Sequence, residues 1–183
     1  VGRPASVQVL KQGVFSQSSI HPAASAEAAA VWTAPLQLLA IKPQQVEAVA
    51  AAAPPVDDAP LLVSVLAGVN LKRLQRLFPG YRVVRAVPNT PSLVGQGLTA
   101  LAWGNDISAD QRQRVQALFA GVSEVLELPE DKLDPFLALT SSGPAFVALV
   151  AEAMADGAVP AGLPRDLAHR LAHRTLAGSA ALL

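Results

Sequence analysis

Hydrophobic and polar positions along the chain fall into alternating blocks. Apolar runs of strand length stand at residues 36–41 (LQLLAI), 61–68 (LLVSVLAG), 81–87 (YRVVRAV), 98–104 (LTALAWG) and 123–128 (SEVLEL). The first is ambiguous by periodicity alone, and the break at Lys42-Pro43 favours a strand. Helical patterns separate these runs. One starts at Gln44. A second, NLKRLQRLF, has apolar residues at i, i+3 and i+4 spacing behind Asn70, which can cap it. A third opens after Ser108 and is closed by Gly121. Ahead of the first strand, residues 6–12 read as a helix ended by Gly13, and SAEAAAVW as a short helix with Ser25 as its N-cap. Strand and helix in alternation predict an α/β unit with a mostly parallel sheet covered on both faces. Ligands of such sheets bind beyond the carboxyl ends of the strands. That puts Lys42-Pro43, Ala67-Gly68 and Pro88-Asn89 on one ligand-facing edge.

From Pro129 the pattern changes. No strand follows; the stretch after Glu130, Asp131 and Asp134 is apolar on every side, which marks a buried helix. Gly143-Pro144 interrupts it, where Pro144 is expected to bend the helix, and Asp156-Gly157 is expected to end it. A last helix starts near Pro164. The predicted organisation is an α/β domain over residues 1–128 and an all-helical unit over residues 129–183.

Composition narrows the function. Of 183 residues, 51% are apolar and 15% charged, with 14 basic and 14 acidic side chains. A neutral chain without a basic stripe does not suit nucleic acid. With no cysteine there is neither a disulfide nor a thiolate metal site, which suits a cytoplasmic setting. The apolar helical stretch around residues 145–154 is expected to be too short for a membrane span and carries Glu152. So low a charge fraction means either surface hidden against another subunit or simple alanine richness.

Lys42-Pro43 at a strand end gives a rigid turn and a cation; Ala67-Gly68 removes side-chain bulk; Asn89 offers an amide donor and a carbonyl acceptor between Pro88 and Pro91. Together they describe a pocket for a polar, phosphorylated, nucleotide-like ligand, or else ordinary strand-to-helix turns. His169 and His173 share a helix face, but Arg170 and Arg174 adjoin them and no third ligand stands out, so a solvated basic face is expected and no metal. TSSGP lacks the G-x-S-x-G of a hydrolase nucleophile. No G-x-G-x-x-G is present; Gly2 stands where its last glycine would be.

The segments LLAIKPQQV, SVLAGV, RAVPNTPSLVGQGLTAL and LTSSGPAFVALVAEAMADGAVPAGLPRDLA, in this order, resemble the pyrroline-5-carboxylate reductase family, from about Ala26 to Leu183. The resemblance implies a Rossmann-like domain, a helical dimerisation domain, and NAD(P)H-dependent reduction of 1-pyrroline-5-carboxylate to L-proline, with NADPH preferred and NADH possible. The family's Ala-Val-Lys-Pro loop is matched by Ala40, Ile41, Lys42 and Pro43. Its Ala-Ala-Gly is matched by Leu66, Ala67 and Gly68, with Leu66 departing from alanine. These residues, Asn89 and Glu130 would contact the cofactor, while Ser142, Gly143 and Pro144 would face the substrate. A homodimer or an assembly of dimers is implied.

The family's first strand, most of its glycine loop, a second strand and its Ser-Pro-Gly-Gly-Thr-Thr loop find no match, so no catalytic residue is assigned. The chain is expected to join pieces of a longer protein, the alternative being a genuinely shortened one. Two rivals remain. One is another Rossmann-type imine or hydroxyacid oxidoreductase, disfavoured because no lysine of the hydroxyacid type follows SSGPA. The other is a non-catalytic dimeric assembly module.

Overall fold

The structure, a computed structural model, describes residues 29–183. The helix read at residues 6–12, Gly2, Gly13 and the Ser25 cap lie outside the described residues. Two compact units make up the chain, one running to Leu137 and the other spanning Ala138–Leu183.

In the first unit a short helix, α1 (Ala29–Trp32), leads into five strands: β1 (Leu36–Leu39), β2 (Leu61–Ser64), β3 (Arg82–Pro88), β4 (Gly97–Trp103) and β5 (Ser123–Glu127). They lie in sequence order across one sheet. β1, β2 and β3 are parallel, and β5 is parallel to β4. β4 itself runs antiparallel to β3. The reason is the connection: only residues 89–96 join the two strands, too few for the crossover that a parallel neighbour needs.

Alternate residues of each strand face opposite layers. Leu62, Val83, Val87, Ala100 and Ala102 look toward α2 (Val46–Ala51) and α3 (Leu71–Leu77), joining Val46, Val49, Leu74 and Phe78 in one core. Leu61, Val63, Val84, Ala86 and Leu101 look the other way and meet Val115 and Phe119 of α4 (Ala109–Ala120). β2 is buried at every position, which is why it reads as an uninterrupted apolar run. The expected Asn70 cap forms, its side chain accepting from the Arg73 amide at 2.8 Å, and the Ser108 hydroxyl likewise accepts from the Gln111 amide at 3.3 Å.

After β5 a 3-10 turn (Glu130–Lys132) leads into α5 (Leu133–Thr140), whose Leu133, Phe136 and Leu137 pack into the first core. In the second unit, α6 (Gly143–Ala158) packs against α7 (Arg165–Leu182) through Ala155, Ala168 and Ala172. Three expectations are corrected here. The helical run breaks at Ser141-Ser142, and Pro144 starts α6 instead of bending it, in the first turn where its missing amide has no helical partner to lose. α6 then continues through Asp156-Gly157 to Ala158. The apolar stretch is also longer than residues 145–154. By length and composition alone, the run Glu130–Ala158, which holds an 18-residue window of mean hydropathy 1.5, is enough to cross a membrane.

Candidate functional site

The carboxyl ends of β1, β2 and β3 lie side by side. Leu39 is paired with Ser64, and Ser64 with Arg85, while β3 continues through Ala86, Val87 and Pro88. The Val65 amide donates to the Leu39 carbonyl at 3.2 Å, extending the ladder past the last paired residue. Ala40 to Pro43, Leu66 to Gly68, and Asn89 therefore leave the sheet on the same edge. Lys42 is extended and exposed, and its carbonyl accepts from the Gln45 amide at 2.9 Å, which closes the 3-10 turn Pro43–Gln45. Gly68 has φ of +72°, and a Cβ added there would find nothing within 4 Å, so the turn needs glycine for its backbone and leaves open space outside it. Leu66 points inward and is 2% exposed. Its departure from alanine therefore fills the core and puts no bulk on the edge.

The acceptor half of the Asn89 reading is seen, turned toward β4. Its side-chain oxygen accepts from the Leu98 amide at 2.8 Å, and its own amide donates to the Leu98 carbonyl at 3.2 Å, so it clasps the end of β3 to β4. The following 3-10 turn (Thr90–Val94) is anchored by hydroxyls that the sequence did not flag. Ser92 lies 3.0 Å from Ser123, and Thr99 donates to Ser123 at 2.9 Å. Gly97 must be glycine, since a Cβ there would strike both serine hydroxyls and the Val122 carbonyl.

Glu130 lies in the 3-10 turn that follows β5. Its Oε1 accepts from the Leu71 amide, the first of α3, at 2.6 Å, and meets the Arg85 guanidinium at 3.4 Å. Arg85 is buried and reaches Asp134 as well, also at 3.4 Å. Sequence reasoning missed Arg85. The signal was a cation in the middle of a strand expected to be covered on both faces.

The second unit holds Ser142, Gly143 and Pro144 at the start of α6. Its outer surface is apolar: Phe146 is 66% and Leu149 64% exposed, with Val147, Val150 and Met154 beside them. His169 and His173, ring centroids 6.3 Å apart, line an open groove with Phe146, Leu149 and Glu152, and His173, Arg170 and Arg174 are exposed as the basic-face reading expects. No cluster of three metal-binding side chains occurs among the described residues.

A mostly parallel sheet with its free loops on one edge, followed by a helical pair with an uncovered apolar face, defines a Rossmann-like protein with a helical dimerisation module. The family model described as pyrroline-5-carboxylate reductase dimerisation matches residues 130–183. A pyrroline-5-carboxylate reductase of Synechocystis sp. is 46% identical over 146 residues, covering 80% of this chain and 55% of the relative. Among solved structures, a pyrroline-5-carboxylate reductase from Coxiella burnetii superposes with a TM-score of 0.79 at 29% identity, over 89% of this chain and 62% of the other. The Plasmodium falciparum pyrroline carboxylate reductase with NADP bound gives 0.77 at 28%, over 91% and 66%. The chain belongs to the pyrroline-5-carboxylate reductase family. It spans about half the length of the curated relatives it matches, 55% in the case above.

Proposed function

We propose that the protein reduces 1-pyrroline-5-carboxylate to L-proline with NADPH, the last step of proline biosynthesis, as a cytoplasmic homodimer or assembly of dimers. The observation that carries this reading is the alignment of Lys42-Pro43, Ala67-Gly68 and Asn89 at the ends of three parallel strands. The relatives' names supply the substrate, and the NADP in the Plasmodium structure supports the choice of cofactor.

The residues present suit a dinucleotide. The open space outside Gly68 lets a charged ligand approach the backbone, and Lys42 stands exposed on the neighbouring turn. When bound, the reduced nicotinamide supplies the hydride. The chain's part is to bind and orient. Ala40, Ile41, Pro43, Leu66 and Ala67 form the edge against which the cofactor lies, Lys42 meets phosphate charge, and Asn89 shapes the nicotinamide end. Glu130 supports the same edge, and Ser142, Gly143 and Pro144 are assigned to the substrate side.

Titration of the full-length protein with NADPH, read by nicotinamide fluorescence, tests this together with NADPH oxidation on addition of pyrroline-5-carboxylate. Saturable binding and substrate-dependent oxidation are expected. A dimer that binds no NADPH would instead be the assembly module. Lys42→Ala should weaken NADPH binding about tenfold, close to 1.4 kcal/mol. Lys72→Ala, at an exposed position of α3, should leave it unchanged, and equal losses from both would rule out the assigned edge.

A further inference from the structure

Among the described residues Arg85 is the only charged one that is buried, at 4% exposure. It pairs with Ser64 at the level where β1 and β2 end, just under the turn that carries Ala67-Gly68. As a stabilising device the arrangement is poor. Both ion pairs are long, 3.4 Å each, and the buried Nε has no hydrogen-bond partner. Desolvating a guanidinium for such contacts returns little net stability. What the arrangement achieves is geometric. The Glu130 oxygen that meets Arg85 also holds the Leu71 amide at 2.6 Å. Leu71 opens α3 and ends the turn of residues 65–70. One carboxylate oxygen thus ties the central strand to the far side of that turn. Asp134 is 85% exposed against 31% for Glu130, so solvent screens it and leaves Glu130 as the effective partner.

We propose that Arg85 is a positioning residue for nucleotide binding, acting through Glu130 to hold the Ala67-Gly68 turn at the sheet edge. The proposal rests on the nucleotide reading given above.

The test is a double-mutant cycle on NADPH affinity in the full-length protein. Arg85→Gln and Glu130→Gln should each raise the Kd about tenfold, and the double variant by about the same tenfold, because both changes release one tether. kcat at saturating NADPH should stay within about twofold in each, so that the loss appears in KM. Arg85→Lys, whose ammonium can still reach Glu130, should recover most of the affinity, and Asp134→Asn should leave it unchanged. If Arg85→Gln does not fold, the cycle is run with Arg85→Met, which removes the charge at similar volume. Multiplying losses, near a hundredfold in the double variant, would overturn the role of Arg85 while leaving the enzyme reading intact. So would an Asp134→Asn effect equal to that of Glu130→Gln. A wild-type protein that binds no NADPH would overturn both.

Discussion

Tyr81 carries a hydroxyl that gains nothing from folding. The ring is 7% exposed, edge-on to Trp32 and Phe78 with centroids 6.2 and 5.9 Å away, and its oxygen finds no hydrogen-bond partner among the described residues. Burial pushes the phenol above its ordinary value. The folded chain therefore keeps this proton after the unfolded chain has lost it. Above a pH of about 10 the unfolded state binds fewer protons, so stability falls as pH climbs toward the folded-state value, and below that range Tyr81 has no effect on the pH profile. Tyr81→Phe removes both the orphan hydroxyl and the alkaline loss. Urea unfolding at neutral pH should show equal stability or a gain of about 1 kcal/mol, with a flatter decline under alkaline conditions. A clear loss at neutral pH would mean that the hydroxyl is in fact hydrogen-bonded.

At the scale of elements, the short helix α3 depends on its cap. Seven residues are too few for a helix to hold by propensity, so packing of Leu71 and Leu74 and the Asn70 cap must supply the difference. Asn70→Ala should lower unfolding free energy by about 1 kcal/mol, read by chemical denaturation. An unchanged midpoint would assign the stability of α3 to packing alone. This cap was legible from sequence because its signal is local, three residues from Asn70 to the Arg73 amide it accepts from. The five strands were legible for the same reason, as apolar runs bounded by Gly, Pro and polar residues. The direction of β4 was not: an apolar run reads alike both ways, and the length of its connection decides. The partners of Arg85 were hidden too, because Glu130 and Asp134 lie 45 and 49 residues away in sequence, and nothing in local spacing joins them. The start of α6 at Gly143 shows a third limit. Proline marks a disruption, but whether it bends a helix or begins one depends on where the chain turns.

For the whole molecule the deciding feature is what α6 and α7 leave uncovered. Between them they bury only small side chains, Ala155, Ala168 and Ala172, as their core, while Phe146, Val147, Leu149 and Val150 face outward. Burying one such large side chain is worth about 1.5–3 kcal/mol. Several together, counted on both copies of a symmetric pair, can match the roughly 4–15 kcal/mol that association costs. A second copy is the occupant that the dimerisation match over residues 130–183 favours. The apolar face of α6 could otherwise meet lipid, yet Glu152 lines the same groove as Phe146 and Leu149. A carboxylate at that depth in hydrocarbon would cost about 2.5–3.5 kcal/mol on insertion scales, whereas in a protein interface His169 and His173 stand beside it. Phe146→Glu combined with Leu149→Glu should therefore convert the dimer to monomer at micromolar concentration in sedimentation velocity. Thermal stability of the wild type should rise with protein concentration, and that of the double variant should not. A dimer that survives both charges would place the interface on another face. A wild-type protein that partitions onto lipid vesicles and never self-associates would assign the apolar face to a membrane.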